Sequence, residues 1–229
     1  MPYFSFKEYK KPVRHDKASM NYQRKVLALF GFLLPLLAPL MGFIAYEKNG
    51  PEFWYSISAT FYASSNIFMI GTLAIFAFFL WTYKGYDLGD SLTCKFSSIM
   101  AAGILVFPCR CMASGETTGV LNLPTGVSHI IHCIIAALLF GSFAVMIGFR
   151  FTKTDKFRVT KAKSRKNKIY YTCSMIIMVA MTCQTITSFL EIGWFTIINE
   201  AVMLWSFSFA WAVKAGVFKS LEKEDVPYV

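Results

Sequence analysis

Two histidines and a carboxylate carry the sequence's clearest potential for chemistry. His129 and His132 stand three positions apart, so on a helix they share a face. Glu200 lies about six residues into an apolar run, roughly 9 Å below its start at 1.5 Å per residue. Histidine changes charge near neutral pH, so the trio could relay protons. It could also hold zinc, which accepts histidine and carboxylate ligands. Two histidines at this spacing with one distant acid make a weak metal signal, and no metal site or cofactor is expected.

Other polar residues fall at a similar depth. Gln184 lies about 9 Å from the end of its apolar run and heads a stripe with Ser188 and Glu191. Asn66 sits beside Ser64 and Ser65, Arg110 follows the third apolar run, and Ser56, Ser58 and Tyr62 open the second. Polar groups at membrane depth are costly and often functional. We expect Glu200, His129, His132, Gln184, Asn66, Glu191, Arg110, Tyr62 and Ser58 to form a ligand-binding set around a hydrated cavity open to the outside. The simpler reading is that each satisfies a neighbouring helix, since such contacts contribute about 0.6 kcal/mol on average. That reading suits the serines and Asn66. For Glu200 a functional role is favoured, because a lone carboxylate in a span needs a partner. The histidines stand between the two, since an interfacial histidine often only snorkels.

The elements positioning these residues are apolar runs. The chain has 229 residues, 55% apolar and 16% charged, with a mean hydropathy of +0.48. About 20 apolar residues cross a bilayer. Six spans are expected, at about 26–46, 60–83, 92–109, 127–149, 169–190 and 194–213, the last extending toward 218. Before the second, the serine- and aromatic-rich FWYSISATFYASSN reads as an interfacial or partly re-entrant lead-in. The fold class is therefore all-α, a polytopic membrane helix bundle. A basic cytoplasmic segment (1–25) precedes the transmembrane domain (26–218), and a cytoplasmic tail (219–229) follows. The first run is too long for the apolar core of a signal peptide and is expected to remain as an anchor.

Orientation follows from lysine and arginine, which favour cytoplasmic loops. With both termini inside, 21 of the 23 basic residues face the cytoplasm and only Lys48 and Arg110 face out. The net charge of +10 is thus a topology signal, and no nucleic-acid partner is expected. The partners expected are the lipid bilayer and, at the basic run 150–168, anionic lipid headgroups. A specific partner or phosphoinositide site there is the alternative. The expected location is the cell (plasma or inner) membrane, as a multi-pass protein.

Several other residues take bland readings. Asp87 and Asp90, in KGYDLGD, read as turn and N-cap residues of the third span, with an ion site or cytoplasmic latch as the alternative. Lys214 reads as snorkelling to cytoplasmic headgroups; a Schiff-base lysine would need a deeper position and a counter-ion. A bridge from Cys109 or Cys111 to Cys133 is geometrically conceivable, and no zinc-type C-x-x-C pair exists. Nucleotide, hydrolase-elbow and metalloprotease motifs are absent.

The runs SISATFY, NIFMIGTLAIFAFFLWTYKGYDLGD, VFP, SHIIHCIIAALLFGSF and EAVMLWSFSFAWAVKAG resemble an uncharacterised bacterial family of small six-span integral membrane proteins across about residues 53–217. The resemblance implies a fold but no activity. The layout is also similar to that of the DRAM-type six-span proteins. Membrane hydrolases of the alkaline ceramidase and adiponectin/progestin receptor type use serine, aspartate and three histidines around zinc. Ser58, Asp87, His129 and His132 supply those residue types, but a third intramembrane histidine is missing and Asp87 falls on the opposite side.

The reading that results is a non-enzymatic multi-pass protein whose outward-facing polar cavity binds a small molecule, ion or lipid headgroup, for transport or sensing. The alternatives are a membrane-embedded lipid hydrolase centred on Glu200 and the histidine pair, and a structural or accessory subunit whose polar layer locks helices together.

Overall fold

Long apolar runs leave a backbone little choice, because in hydrocarbon every N–H and C=O must bond within the protein. A computed structural model of the chain describes residues 14–44, 56–63, 65–85, 87–111, 114–154, 160–190 and 194–221. Its long elements are all helices: α1 (Arg14–Ile44), α2 (Asn66–Thr82), α3 (Leu88–Val106), α4 (Thr125–Val145), α5 (Lys161–Phe189) and α6 (Phe195–Lys214). A π-helical turn, Met146–Arg150, extends α4. Each helix packs against its neighbours in sequence, and α6 closes back onto α1, so the six form a ring.

Four described helices are long and apolar enough to cross a membrane: Ala18–Ile44, Thr125–Arg150, Lys161–Phe189 and Phe195–Lys214. The α2 helix is apolar but has only 17 residues. It begins at Asn66 instead of the expected position 60, because the lead-in folds separately as a short 3-10 helix, Ser58–Tyr62. The α3 helix carries Asp90, Lys95 and several serines. Those serines serve helix packing. Ser97 and Ser142 hydroxyls lie 2.7 Å apart, and Ser98 donates to the Ala77 carbonyl.

Outside the helices, among the described residues, there is one small sheet, an antiparallel hairpin pairing β1 (Thr117–Thr118) with β2 (Leu123–Pro124). The hairpin is an element that the sequence pattern does not signal. Gly119 turns the hairpin at φ 74°, and a Cβ on it would meet the Val106 carbonyl oxygen at 2.7 Å. Glycine is therefore needed both for the left-handed backbone and for close seating on the end of α3.

The ring's centre is filled by aromatic side chains. Phe143 and Phe207 have ring centroids 4.0 Å apart, and Phe76 lies 5.2 Å from Phe207. All three are fully buried. Nearer the end where α1 begins, Trp211 packs edge-on against Tyr83 and Phe151.

At that same end two lysines engage the bundle. Lys153 pairs with Asp87 at 2.5 Å, and Lys163 donates to the Phe151 carbonyl at 2.7 Å. Asp87 also caps α3 by accepting from the Asp90 N–H at 2.8 Å. The Lys153 hydrogen bond, then the Asp90 N–H, hold the Asp87 carboxyl below its usual range. Lys214, expected to snorkel toward the cytoplasmic headgroups, meets an aromatic ring at this end. Its ammonium lies 4.7 Å from the Phe151 ring centroid.

Candidate functional site

At the opposite end, where α4 and α6 start and α5 finishes, the bundle opens into a cavity of about 520 Å³. Glu200, His129, His132, Gln184, Arg110 and Ser58 all line it. Tyr62 and Asn66 do not line it. Glu191 lies outside the described residues.

Glu200 is one turn inside α6 and faces the lead-in across the ring. Its carboxylate accepts from the Ser58 hydroxyl at 2.9 Å, the Ser56 hydroxyl at 3.0 Å and the Ile57 N–H at 2.5 Å. Ser56 also reaches the second carboxylate oxygen at 3.1 Å, but one hydroxyl has one proton. Three protons are thus shared among about four lone-pair sites. All three donors are neutral, and among the described residues no cation pairs with Glu200. The carboxyl is thus held at the cavity by neutral hydrogen-bond donors alone.

The histidines are placed by the break after α3. Pro108 cannot continue that helix, so carbonyls near its end need donors from elsewhere. Helix α4 supplies them. Ser128 donates to the Pro108 carbonyl at 2.9 Å, and His132 Nδ1 bonds the Phe107 carbonyl at 2.8 Å. His129 Nδ1 accepts from the Arg110 N–H at 3.2 Å.

These partners set the tautomers. Nδ1 of His132 faces a carbonyl and must carry a proton, which leaves Nε2 of the neutral ring an acceptor. Nδ1 of His129 faces an N–H and must be bare, which makes its Nε2 a donor. The two rings, both in the cavity lining, thus differ in which nitrogen carries the proton.

Gln184 does structural work between α5 and α6. Its amide donates to Thr196 at 3.1 Å and Ser188 at 3.2 Å, and its carbonyl accepts from Asn199 at 3.1 Å. Tyr62 pins the lead-in to the hairpin. Its hydroxyl donates to the Cys109 carbonyl at 2.7 Å and lies 2.7 Å from the Thr118 hydroxyl. Asn66 starts α2.

The remaining lining changes character with depth. Ala136, Phe140, Met181 and Met203 make an apolar inner part. Cys133 also lines the cavity and lies 3.8 Å from the His129 ring. All six cysteines are free, so the conceivable bridge from Cys109 or Cys111 to Cys133 is not formed.

Ser56 and Cys133 are site residues outside the expected set. The Ser-x-Ser spacing at 56 and 58 was the available signal for the first. Nothing in the sequence distinguished Cys133 from any other apolar-span cysteine. Among the described residues, no three His, Cys, Asp or Glu side chains are grouped to hold a metal ion. Asp87 lies at the far end of the bundle, away from Ser58 and the histidines. No family model, no curated protein and no solved structure matches this chain.

Proposed function

We propose that the chain is a six-span, multi-pass protein of the plasma or inner membrane, with both ends cytoplasmic and an outward-facing cavity that binds a small molecule or lipid headgroup for sensing or transport. One observation carries this reading. Glu200, His129, His132 and Arg110, from three separate stretches of sequence, border one cavity at the end poor in lysine and arginine. The α2 and α3 helices, about 26 and 28 Å long at 1.5 Å per residue, are close to a bilayer core of about 30 Å and complete the ring. The basic residues at the other end match the cytoplasmic rule.

The buried Phe76, Phe143 and Phe207 lie between the cavity and the cytoplasmic end. They favour ligand binding, with any transport requiring the ring to rearrange, over an open pore. The separation of Asp87 from the histidines disfavours a zinc hydrolase.

Reporter fusions test the orientation on which the reading depends. A phosphatase that folds only in an oxidising compartment, inserted after Leu121 in the hairpin turn, is expected to be active. A fluorescent reporter at the C-terminus is expected to fold in the cytoplasm. The reverse pattern would turn the cavity toward the cytoplasm and overturn the reading.

A further inference from the structure

The cavity's mouth faces sideways. Helices α4 and α5 touch toward their cytoplasmic ends, where the Ser174 hydroxyl donates to the Ala144 carbonyl at 2.9 Å and a Cβ on Gly148 would meet Ser174 Oγ at 2.7 Å. Toward the other end both helices line the cavity. Cys133 and Ala137 of α4, and Thr185 and Ser188 of α5, border the cavity yet remain exposed. The flanking residues Ile130 and Ile134 on α4 and Ile186 on α5 are exposed and apolar, as a lipid-facing surface requires. The opening therefore meets the outer leaflet directly.

The cavity offers hydrogen-bonding groups of both kinds at its polar end. The Glu200 carboxyl and the bare Nε2 of His132 are acceptors. The Arg110 side chain brings the opposite charge to the same cavity, and His129 Nε2–H is a donor. A purely anionic headgroup would meet Glu200, and a purely cationic one would meet Arg110. Beneath lie Ala136, Phe140 and Met203, which suit hydrocarbon.

Resting on the binding role proposed above, we infer that the occupant is a zwitterionic phospholipid with a primary amine, its headgroup of the phosphoethanolamine class. Its tails leave between α4 and α5 into the outer leaflet. The primary ammonium, with three donors, bonds Glu200 and His132. The phosphate takes Arg110 and His129. A quaternary ammonium has no donor to give these acceptors. A cavity of about 520 Å³ falls within the range of about 300–1,000 Å³ that holds small ligands, and it need hold only the headgroup and the first part of the chains.

The test is native mass spectrometry of purified, delipidated full-length protein, titrated with phosphoethanolamine, phosphocholine and phosphoglycerol lipids of identical acyl chains. The expected result is at least about tenfold tighter binding of the phosphoethanolamine lipid than of either other lipid. Glu200→Gln is expected to remove that preference, and Arg110→Gln to weaken the phosphoethanolamine lipid's binding. Ala136→Trp, which fills the cavity, is expected to abolish binding of all three. The preference within wild type needs no variant to fold. Equal binding of the three lipids, still abolished by Ala136→Trp, overturns the headgroup assignment and leaves the cavity's binding role standing. Binding that Ala136→Trp does not change overturns both.

Discussion

The Ser58 hydroxyl donates to the Glu200 carboxylate at 2.9 Å, joining residues 142 positions apart in the chain. Ser58 starts the 3-10 helix that precedes α2, and Glu200 lies in α6. With Ser56 and the Ile57 N–H on the same carboxylate, this contact fixes the lead-in over one side of the cavity. Glu200 is therefore a clamp and a site residue at once, and the two roles predict different responses to substitution.

Glu200→Ala leaves two hydroxyls and a backbone N–H without their acceptor. An unsatisfied buried polar group costs about 1–3 kcal/mol, so we predict a loss of about 3 kcal/mol in detergent unfolding. Glu200→Gln keeps one amide oxygen for these donors and is predicted to lose about 1 kcal/mol. Equal losses for the two variants would mean that the charge itself, and not the hydrogen bonding, holds the lead-in.

The histidines should also separate. His132 is buried, and its Nδ1–H satisfies the Phe107 carbonyl. His129 is only half-buried, and the Arg110 N–H it accepts lies in an exposed setting. His132→Ala is predicted to destabilise by about 2 kcal/mol and His129→Ala by less than about 1 kcal/mol. Thermal unfolding of both variants in one detergent makes the comparison, and the opposite ranking contradicts the lacing of the post-α3 segment onto α4.

Gly148→Ala should disturb the contact between α4 and α5 toward their cytoplasmic ends. Its Cβ would stand 2.7 Å from Ser174 Oγ and 3.1 Å from Ser174 Cβ. Overpacking of this kind costs about 1–3 kcal/mol. Ser174→Gly in the same chain is predicted to recover most of the loss. No recovery in the double variant would show that the two helices do not meet there.

Much of the helical plan was legible. Long apolar runs announce spans without help from context, and Pro108 announced the end of α3. Helix starts were read less well. The basic charges of residues 14–25 and 161–168 hid the fact that α1 and α5 continue beyond the apolar runs, to Arg14 and Lys161. Thr160 caps α5 by accepting from the Lys163 N–H at 3.2 Å. The hairpin escaped notice because strands of two residues have no periodicity to read.

The site was legible in part. Depth along a helix follows from counting residues, so Glu200, His129, His132 and Gln184 could be placed at one level. Partners do not follow from counting. That Gln184 bridges α5 to α6, and that Tyr62 ties the lead-in to the hairpin, depends on packing between distant segments. The neighbourhood of Cys133 depends on the same packing.

Asp87 yields a pH prediction. Its folded-state pKa lies below the unfolded value of about 3.9, first because of Lys153 and then because of the Asp90 N–H. The resulting stability is complete above the unfolded value and is lost as pH falls through the lowered folded value. Both side chains are over 40% exposed, at 41% and 45%, so the effect is predicted to stay below about 1 kcal/mol. Asp87→Asn keeps a capping oxygen but cannot titrate, and it should flatten unfolding stability below pH 4 relative to wild type. An unchanged acid slope would remove the Asp87–Lys153 pair from the account.

The central claim is that polar side chains from separate helices border one cavity reached from outside the membrane. Cys133 reports on it directly. It lines the cavity at its mouth, about 12 Å along α4 from its start at 1.5 Å per residue, so a water-soluble reagent reaches it by way of the cavity. In a variant whose other five cysteines are replaced by alanine, a membrane-impermeant maleimide added to intact cells is predicted to label Cys133, and Ala136→Trp to suppress the labelling. Labelling only after the cytoplasmic face is exposed, or equal labelling with Trp at position 136, would contradict the claim.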